Sequence, residues 1–186
     1  MGFDFVIVGA GSAGCALANR LSEDGRYTVA LIEAGPRDTS PWIHIPVGYF
    51  RTMGNPKMDW CYKTQEDVGI ANRSIPWPRG RVLGGSSSIN GLLYVRGQAQ
   101  DYDGWAQMGC TGWSWSDVLP YFKRSETWEG ADQTGLRGKS GPLSVQNSRL
   151  TRDVVDKWVD AAVDAGYKRN PDYNGADQEG VGYFQL

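Results

Sequence analysis

"FDFVIVGAGSAGCALANRLSEDGRYTVALIEAG", residues 3–35, is the stretch on which the fold turns. Phe5-Val6-Ile7-Val8 is a short apolar run that stops at glycine, the pattern of a strand buried in a parallel sheet. From Ser12 to about Ser22 the residues favour a helix, with Ala16, Leu17 and Leu21 on one face and Asp24-Gly25 as the stop. Thr28 to Ile32 repeats the buried-strand pattern. The first 33 residues therefore read as one βαβ unit.

Between strand and helix lies Gly9-Ala10-Gly11-Ser12-Ala13-Gly14, a G-x-G-x-x-G. With 25 glycines in 186 residues the pattern alone is weak. Its position, directly after a strand and opening a helix, gives it weight. Gly9 permits the tight turn, Gly11 lets backbone approach a pyrophosphate, and Gly14 lets the helix pack close to the strand. Ser12 and Ala13 begin a helix whose free N–H groups and partial positive charge suit phosphate oxygens. Glu33 ends the second strand, 19 residues after Gly14 (33 − 14). A carboxylate there can accept hydrogen bonds from a ribose diol and disfavours a 2′-phosphate, which argues against NADP. The plain alternative is a glycine-rich turn with no ligand.

Residues 35–80 differ in character. Pro36, Pro41, Pro46, Pro56, Pro76 and Pro78, with interspersed glycines, exclude long regular elements. An irregular excursion of that length usually serves as a lid or binding segment, and Trp42, Trp60, Tyr62 and Trp77 give it surface to pack with. It leads into "GRVLGGSSSING", residues 80–91, which has too little side chain to build a core. Such a stretch is either a flexible linker or a backbone that lies against something. Its flanks are apolar and aromatic, unlike a solvated linker.

Further on, Asp101 to Met108 reads as a short helix ended by Gly109, and Ser116 to Ser125 as another, with Ser116 as N-cap and Pro120 near the first turn. Leu143 to Val145 reads as a strand. Thr151 to Ala165 is the best amphipathic helix, capped by Thr151, with Val154, Val155, Trp158, Ala162 and Ala165 on one face and Gly166 after it.

Composition narrows the function classes. Hydrophobic residues make up 40% of the chain and charged residues 22%, with a net charge of −2; this is an ordinary globular balance with no basic block for nucleic acid or anionic lipid. Cys15, Cys61 and Cys110 form neither a disulfide framework nor a zinc pattern, and no metal site is expected. No stretch approaches the roughly 18 apolar residues of a membrane span. A cytoplasmic location is expected, with peripheral membrane association left open.

Two segments carry a family resemblance: residues 3–35, quoted above, and "GRVLGGSSSINGLLYVRGQAQDYDGW", residues 80–105. Together with "DWCYKT" and "TGWSWSDVLPYFKRSE", they make the chain resemble the glucose–methanol–choline oxidoreductases, FAD-dependent enzymes that oxidise alcohols, and in particular their bacterial alcohol and choline dehydrogenase branch. The resemblance implies an α/β fold: an incomplete Rossmann-like FAD-binding βαβ domain over residues 1–110, and the start of an α+β substrate-binding domain over residues 111–186. It also implies that residues 80–91 wrap the flavin and its pyrophosphate. The implied cofactor contacts are Arg81, Val82, Gly84, Gly85, Ser86, Asn90, Gly91, Leu92 and Leu93, beside Gly9, Gly11, Ser12, Ala13, Gly14, Glu33 and Ala34 of the first motif, with Asp59 and Trp60 in the lid.

Some relatives tether FAD through a histidine just before the motif's Asn. Here that position is Ile89, so non-covalent FAD is expected. The resemblance puts the catalytic histidine beyond Leu186, and His44 is expected to be structural or a surface residue. The chain is expected to be an N-terminal fragment, poorly stable and inactive without the C-terminal portion of the enzyme. Alternatives are a non-catalytic flavin-binding fragment, a flavin photodecarboxylase of the same family and, less compatible with residues 80–91, an NAD-dependent dehydrogenase. Aromatic residues 105, 113, 115 and 128 are read as core ahead of a cage for a quaternary ammonium.

Overall fold

A computed structural model describes residues 2–186. The chain divides into two compact units, residues 1–92 and 93–186.

In the first unit β1 (Phe5–Val8) pairs in parallel with β2 (Val29–Ile32), in register Phe5 to Val29 through Val8 to Ile32, and α1 (Ser12–Ser22) is the crossover. The pair is pinned at its start, where Asp4 Oδ2 accepts hydrogen bonds from the Thr28 backbone N–H at 2.7 Å and from its hydroxyl at 2.8 Å. Two strands offer little cover: Ile7 is buried, whereas Val8 is 84% exposed and Ile32 is exposed. On α1 the partly buried positions are Gly14, Cys15, Ala18 and Leu21, so the inward face differs from the expected Ala16-Leu17-Leu21 set, of which only Leu21 turns inward. Gly14 sets this rotation, because a helix that rests on the Gly9 carbonyl through a glycine turns the flanking positions 15 and 18 toward the sheet.

The excursion contains no long element, as its prolines demand. It holds a 3₁₀ turn at Pro46–Gly48, the one-turn α2 (Tyr49–Thr52), another 3₁₀ turn at Val68–Ile70, and an antiparallel ribbon of β3 (Tyr62–Lys63) with β4 (Pro76–Trp77). Backbone bonds extend the ribbon, from Trp60 N–H to Arg79 O and from Arg81 N–H to Met58 O. Met58, Val82 and Ile89 form the core of this region, with Ile43 packed against them.

The second unit carries α3 (Ala99–Gln107), α4 (Trp115–Ser125), the parallel pair β5 (Glu126–Trp128) and β6 (Leu143–Val145), and α5 (Asp153–Asp164). Helix α4 is capped by Ser114, not Ser116: Ser114 Oγ accepts from Asp117 N–H while Asp117 accepts from Ser114 N–H, a reciprocal box that places Pro120 inside the helix. Helix α5 is preceded by Arg152, without a side-chain cap, in place of the expected Thr151. Its buried face runs through Val155, Val159, Ala162 and Val163, leaving Val154 and Trp158 exposed.

The interior of this unit is strongly polar. Glu126, fully buried, accepts from Arg96 Nη2 and Arg137 Nη2, both at 2.5 Å, and from the Gly138 N–H at 2.7 Å. Arg137 also reaches Asp172 and Gln185, and its guanidinium lies 4.0 Å from the centroid of the Trp128 ring. Because Tyr94 and Arg96 are tied into this network, the chain joins the second unit at Leu93, well before the boundary at residue 110 drawn from the sequence.

Candidate functional site

The turn after β1 is built by Gly9 at φ +96°, whose N–H donates to Ile32 O at 2.7 Å. A Cβ on Gly14 would stand 1.9 Å from the Gly9 carbonyl oxygen, so helix and strand meet there only because the residue is glycine. Gly11 caps α1 and brings no side chain to its first turn. Ala10 is fully buried, and its N–H donates to Glu33 Oε2 at 2.9 Å. The other carboxylate oxygen, Oε1, accepts from Gly35 N–H at the same distance. Glu33 thus ties the end of β2 to the glycine turn. Each of its oxygens keeps a lone pair for a further donor.

Residues 80–91 lie against this turn backbone to backbone. Gly84 N–H donates to Ala10 O at 2.7 Å, Gly11 and Gly84 form a bridge, and a Cβ on Gly85 would come within 2.8 Å of Gly11 Cα. Leu83 N–H donates to Pro36 O at 2.9 Å, and a Cβ on Gly35 would meet Arg81 O at 2.0 Å. Gly84 and Gly85, at φ +93° and +59°, bend the chain into a 3₁₀ turn over Gly85–Ser88. The serines satisfy that turn: Ser87 and Ser88 donate to the carbonyls of Gly84 and Leu83, and Ser86 Oγ accepts from Gly80 N–H. Val82 and Ile89, almost fully buried, anchor it in the core. The linker alternative for this stretch is thereby excluded.

Asn90 Oδ1 accepts from Leu92 N–H, which stabilises Leu92 at φ +65°. Ser86 and Asn90 open onto a cleft of about 420 Å³ shared with Met53, Trp77, Arg79 and Ile89. The Arg81 guanidinium lies 5.5 Å from the Trp60 ring centroid and donates to Pro56 O at 3.2 Å. Its Nε is buried without a partner. Ser12, Ala13, Ala34 and Leu92 are exposed in the first unit, and Leu93 is exposed at the start of the second. His44 sits on the surface of the excursion, with Nε2 2.6 Å from Asp38 O.

One acid that the sequence places only in the lid proves to be central. Asp59, 2% exposed, accepts from the N–H groups of Gly54 at 2.7 Å and of Cys61 and Arg79 at 2.9 Å. Burial pushes its carboxyl up, but these three donors outweigh burial and hold it below the usual carboxylate value. An acid between Met58 and Trp60 in a proline-rich loop was the available signal, since a buried carboxylate needs such donors.

The cradle fits an elongated anionic ligand held by backbone. At Gly11, φ −79°, a Cβ would meet nothing closer than Gly85 Cα at 3.9 Å, and at Gly91 it would meet nothing within 4 Å. Neither packing nor a positive φ demands glycine at these two positions, which leaves room for a ligand to approach the backbone there. Among the described residues no cluster of His, Cys, Asp or Glu could hold a metal ion, and no helix is long and apolar enough to cross a membrane.

A βαβ turn clamped by a second glycine segment defines a nucleotide-cofactor fold of the flavoprotein kind. The chain belongs to the GMC oxidoreductase family, which matches residues 3–186. It is 50% identical over 179 residues, 96% of the chain, to an oxygen-dependent choline dehydrogenase of Brucella anthropi, of which it covers 32%. Among solved structures, pyridoxine 4-oxidase from Mesorbium loti superposes with a TM-score of 0.92 at 37% identity, over 100% of this chain and 36% of that one. The formate oxidase of Aspergillus oryzae, studied for modification of its FAD, superposes with a TM-score of 0.86 at 30% identity, over 98% and 34%. The chain thus spans about a third of the length of these relatives, and they imply FAD as its cofactor.

Proposed function

We propose that residues 1–186 form the FAD-holding part of an oxidoreductase that acts on the CH–OH group of a small alcohol, of the choline dehydrogenase kind. The observation that carries this reading is the contact of the two glycine segments, Gly84 on Ala10 and Gly85 on Gly11. A linker or a ligand-free turn has no need of it. The 50% identity to a choline dehydrogenase supports the substrate class.

When bound, FAD supplies the hydride-accepting flavin. The chain's own residues bind and orient it. The turn at Gly9–Gly14 and the start of α1 offer N–H groups and a positive dipole end to the diphosphate. Glu33, already oriented by Ala10 and Gly35, accepts from a ribose hydroxyl through its remaining lone pairs. Gly84, Gly85, Ser86, Asn90 and Gly91 present backbone and small polar groups to the flavin side, continued by Leu92 and Leu93. Arg81 and Trp60 stand at the edge of the same segment. Val82 serves through its backbone, because its side chain is in the core.

FAD is held without a covalent bond: Ile89, at the tether position, is a hydrocarbon packed on Met58 and Val82. The base that takes the hydroxyl proton lies outside residues 1–186, in the C-terminal portion that is this segment's principal partner, and the site of action is the cytoplasm.

The test is flavin titration and choline oxidation by the intact enzyme. A flavin that binds in a 1:1 ratio, leaves with the supernatant on acid denaturation and bleaches on anaerobic addition of choline is expected. A chain that binds no flavin sinks the reading, and flavin bleached by other alcohols but not by choline moves the substrate elsewhere.

A further inference from the structure

We infer that Asp59 is the positioning residue that sets the flavin-side segment. Its carboxylate joins three stretches of backbone, at Gly54, Cys61 and Arg79, and through them orients Trp60 and the entry to residues 80–91. This inference rests on the FAD reading given above and adds to it a residue that touches no cofactor atom.

The geometry is specific. Oδ2 closes on Gly54, which leaves α2 at φ +74°, and Oδ1 closes on both Cys61 and Arg79. Cys61 is held at φ +54°, a conformation that a residue with a side chain adopts only when its surroundings impose it. The Oδ1 bond to its N–H is the restraint in view. Trp60, between Asp59 and Cys61, is carried on this restrained backbone, with the Arg81 guanidinium 5.5 Å from its ring centroid.

On the opposite strand Arg79 N–H is bound to the carboxylate, while Gly80 bridges Asp59 and lies close against Gly85, where a Cβ would meet Gly85 O at 2.1 Å. A continuous chain of backbone contacts thus runs from the Asp59 carboxylate through Gly80 and Gly85 to Gly11. No side chain other than a carboxylate offers three acceptor directions at this point without adding a donor that faces an N–H. An asparagine would turn its NH₂ on Gly54 N–H or on the Cys61 and Arg79 pair.

The test compares the wild-type holoenzyme with Asp59→Asn and Asp59→Glu. Apoenzyme is titrated with FAD well below the unfolding temperature, and the visible circular dichroism of the bound flavin is recorded. Asp59→Asn is expected to weaken FAD binding on the order of ten-fold or more and to change the flavin dichroism, with Asp59→Glu partly restoring both. Wild-type affinity and dichroism in Asp59→Asn, even with a lowered unfolding temperature, make Asp59 a stabilising residue only and overturn the inference. If Asp59→Asn does not fold, hydrogen exchange in the wild type decides. FAD is expected to slow the amides of Gly54, Cys61 and Arg79 together, and protection confined to residues 80–91 overturns the inference. A wild-type enzyme that takes up no FAD removes the functional reading itself, and this inference with it; a wild type that binds FAD alongside an unaffected variant removes this inference alone.

Discussion

The N–H of Ala10 donates to Glu33 Oε2 at 2.9 Å, across 23 residues of sequence. One carboxylate thereby fixes the glycine turn at the end of β1 to the end of β2, while its other oxygen holds Gly35. Removing it by Glu33→Ala leaves the buried Ala10 N–H without its acceptor. The expected loss is about 1–3 kcal/mol of stability, read as a lower midpoint in chemical denaturation, together with weaker FAD binding. Glu33→Gln should keep part of both, because its amide oxygen can serve one of the two donors.

Glycine substitutions separate close approach from mere flexibility. Gly85→Ala places a Cβ 2.8 Å from Gly11 Cα at a φ of +59°. It should cost about 2 kcal/mol or more and abolish tight flavin binding. Gly104→Ala, inside α3 with nothing within 4 Å of the new carbon, should instead stabilise by up to about 1 kcal/mol. Thermal unfolding of the two variants should therefore shift in opposite directions.

Much of this arrangement could be read from sequence, and the boundary of legibility has a physical cause. Strand, turn and helix over residues 5–32 follow from neighbours in the chain, and each was legible from apolar runs and glycine placement. The cap of α4 was also within reach: Ser114 and Asp117 have the spacing of a reciprocal box, which Ser116 lacks. For α5 two adjacent valines, Val154 and Val155, begin two apolar stripes offset by one residue. Local pattern does not choose between them; packing buries the one through Val159. Contacts such as Leu83 with Pro36, or Asp59 with Arg79, join segments brought together only by the fold, so residue type announced neither.

Acid should expose the contribution of Asp59. Its folded carboxyl is held below the ordinary value of about 3.9, so its ionised form contributes stability that is present above that value and lost as pH falls through the folded value. The gap in unfolding temperature between wild type and Asp59→Asn should be widest near neutral pH, begin to narrow near about pH 4 and close only as pH falls through the lower folded value. A gap independent of pH would show that the charge of Asp59 has no part in folding.

Glu126→Ala should be the most damaging single change in the second unit. It leaves the guanidinium groups of Arg96 and Arg137 buried and short of their shared partner. The expected cost is about 3–5 kcal/mol, measured by denaturant unfolding of the intact enzyme. Replacing Glu126 alone should be worse than replacing all three charged residues by apolar ones of similar volume, since only the first strands charge in the interior.

The proline-rich excursion leaves and re-enters the first unit at nearly one point, where Leu83 bonds Pro36 and Gly35 rests on Arg81. A loop whose ends are already joined is thermodynamically forgiving of length, since doubling it costs only about 0.6 kcal/mol in closure entropy. Added length should therefore be tolerated at the exposed turn around Val68, whereas the stretches that carry Ile43, Met58 and Asp59 are fixed by their contacts with the junction.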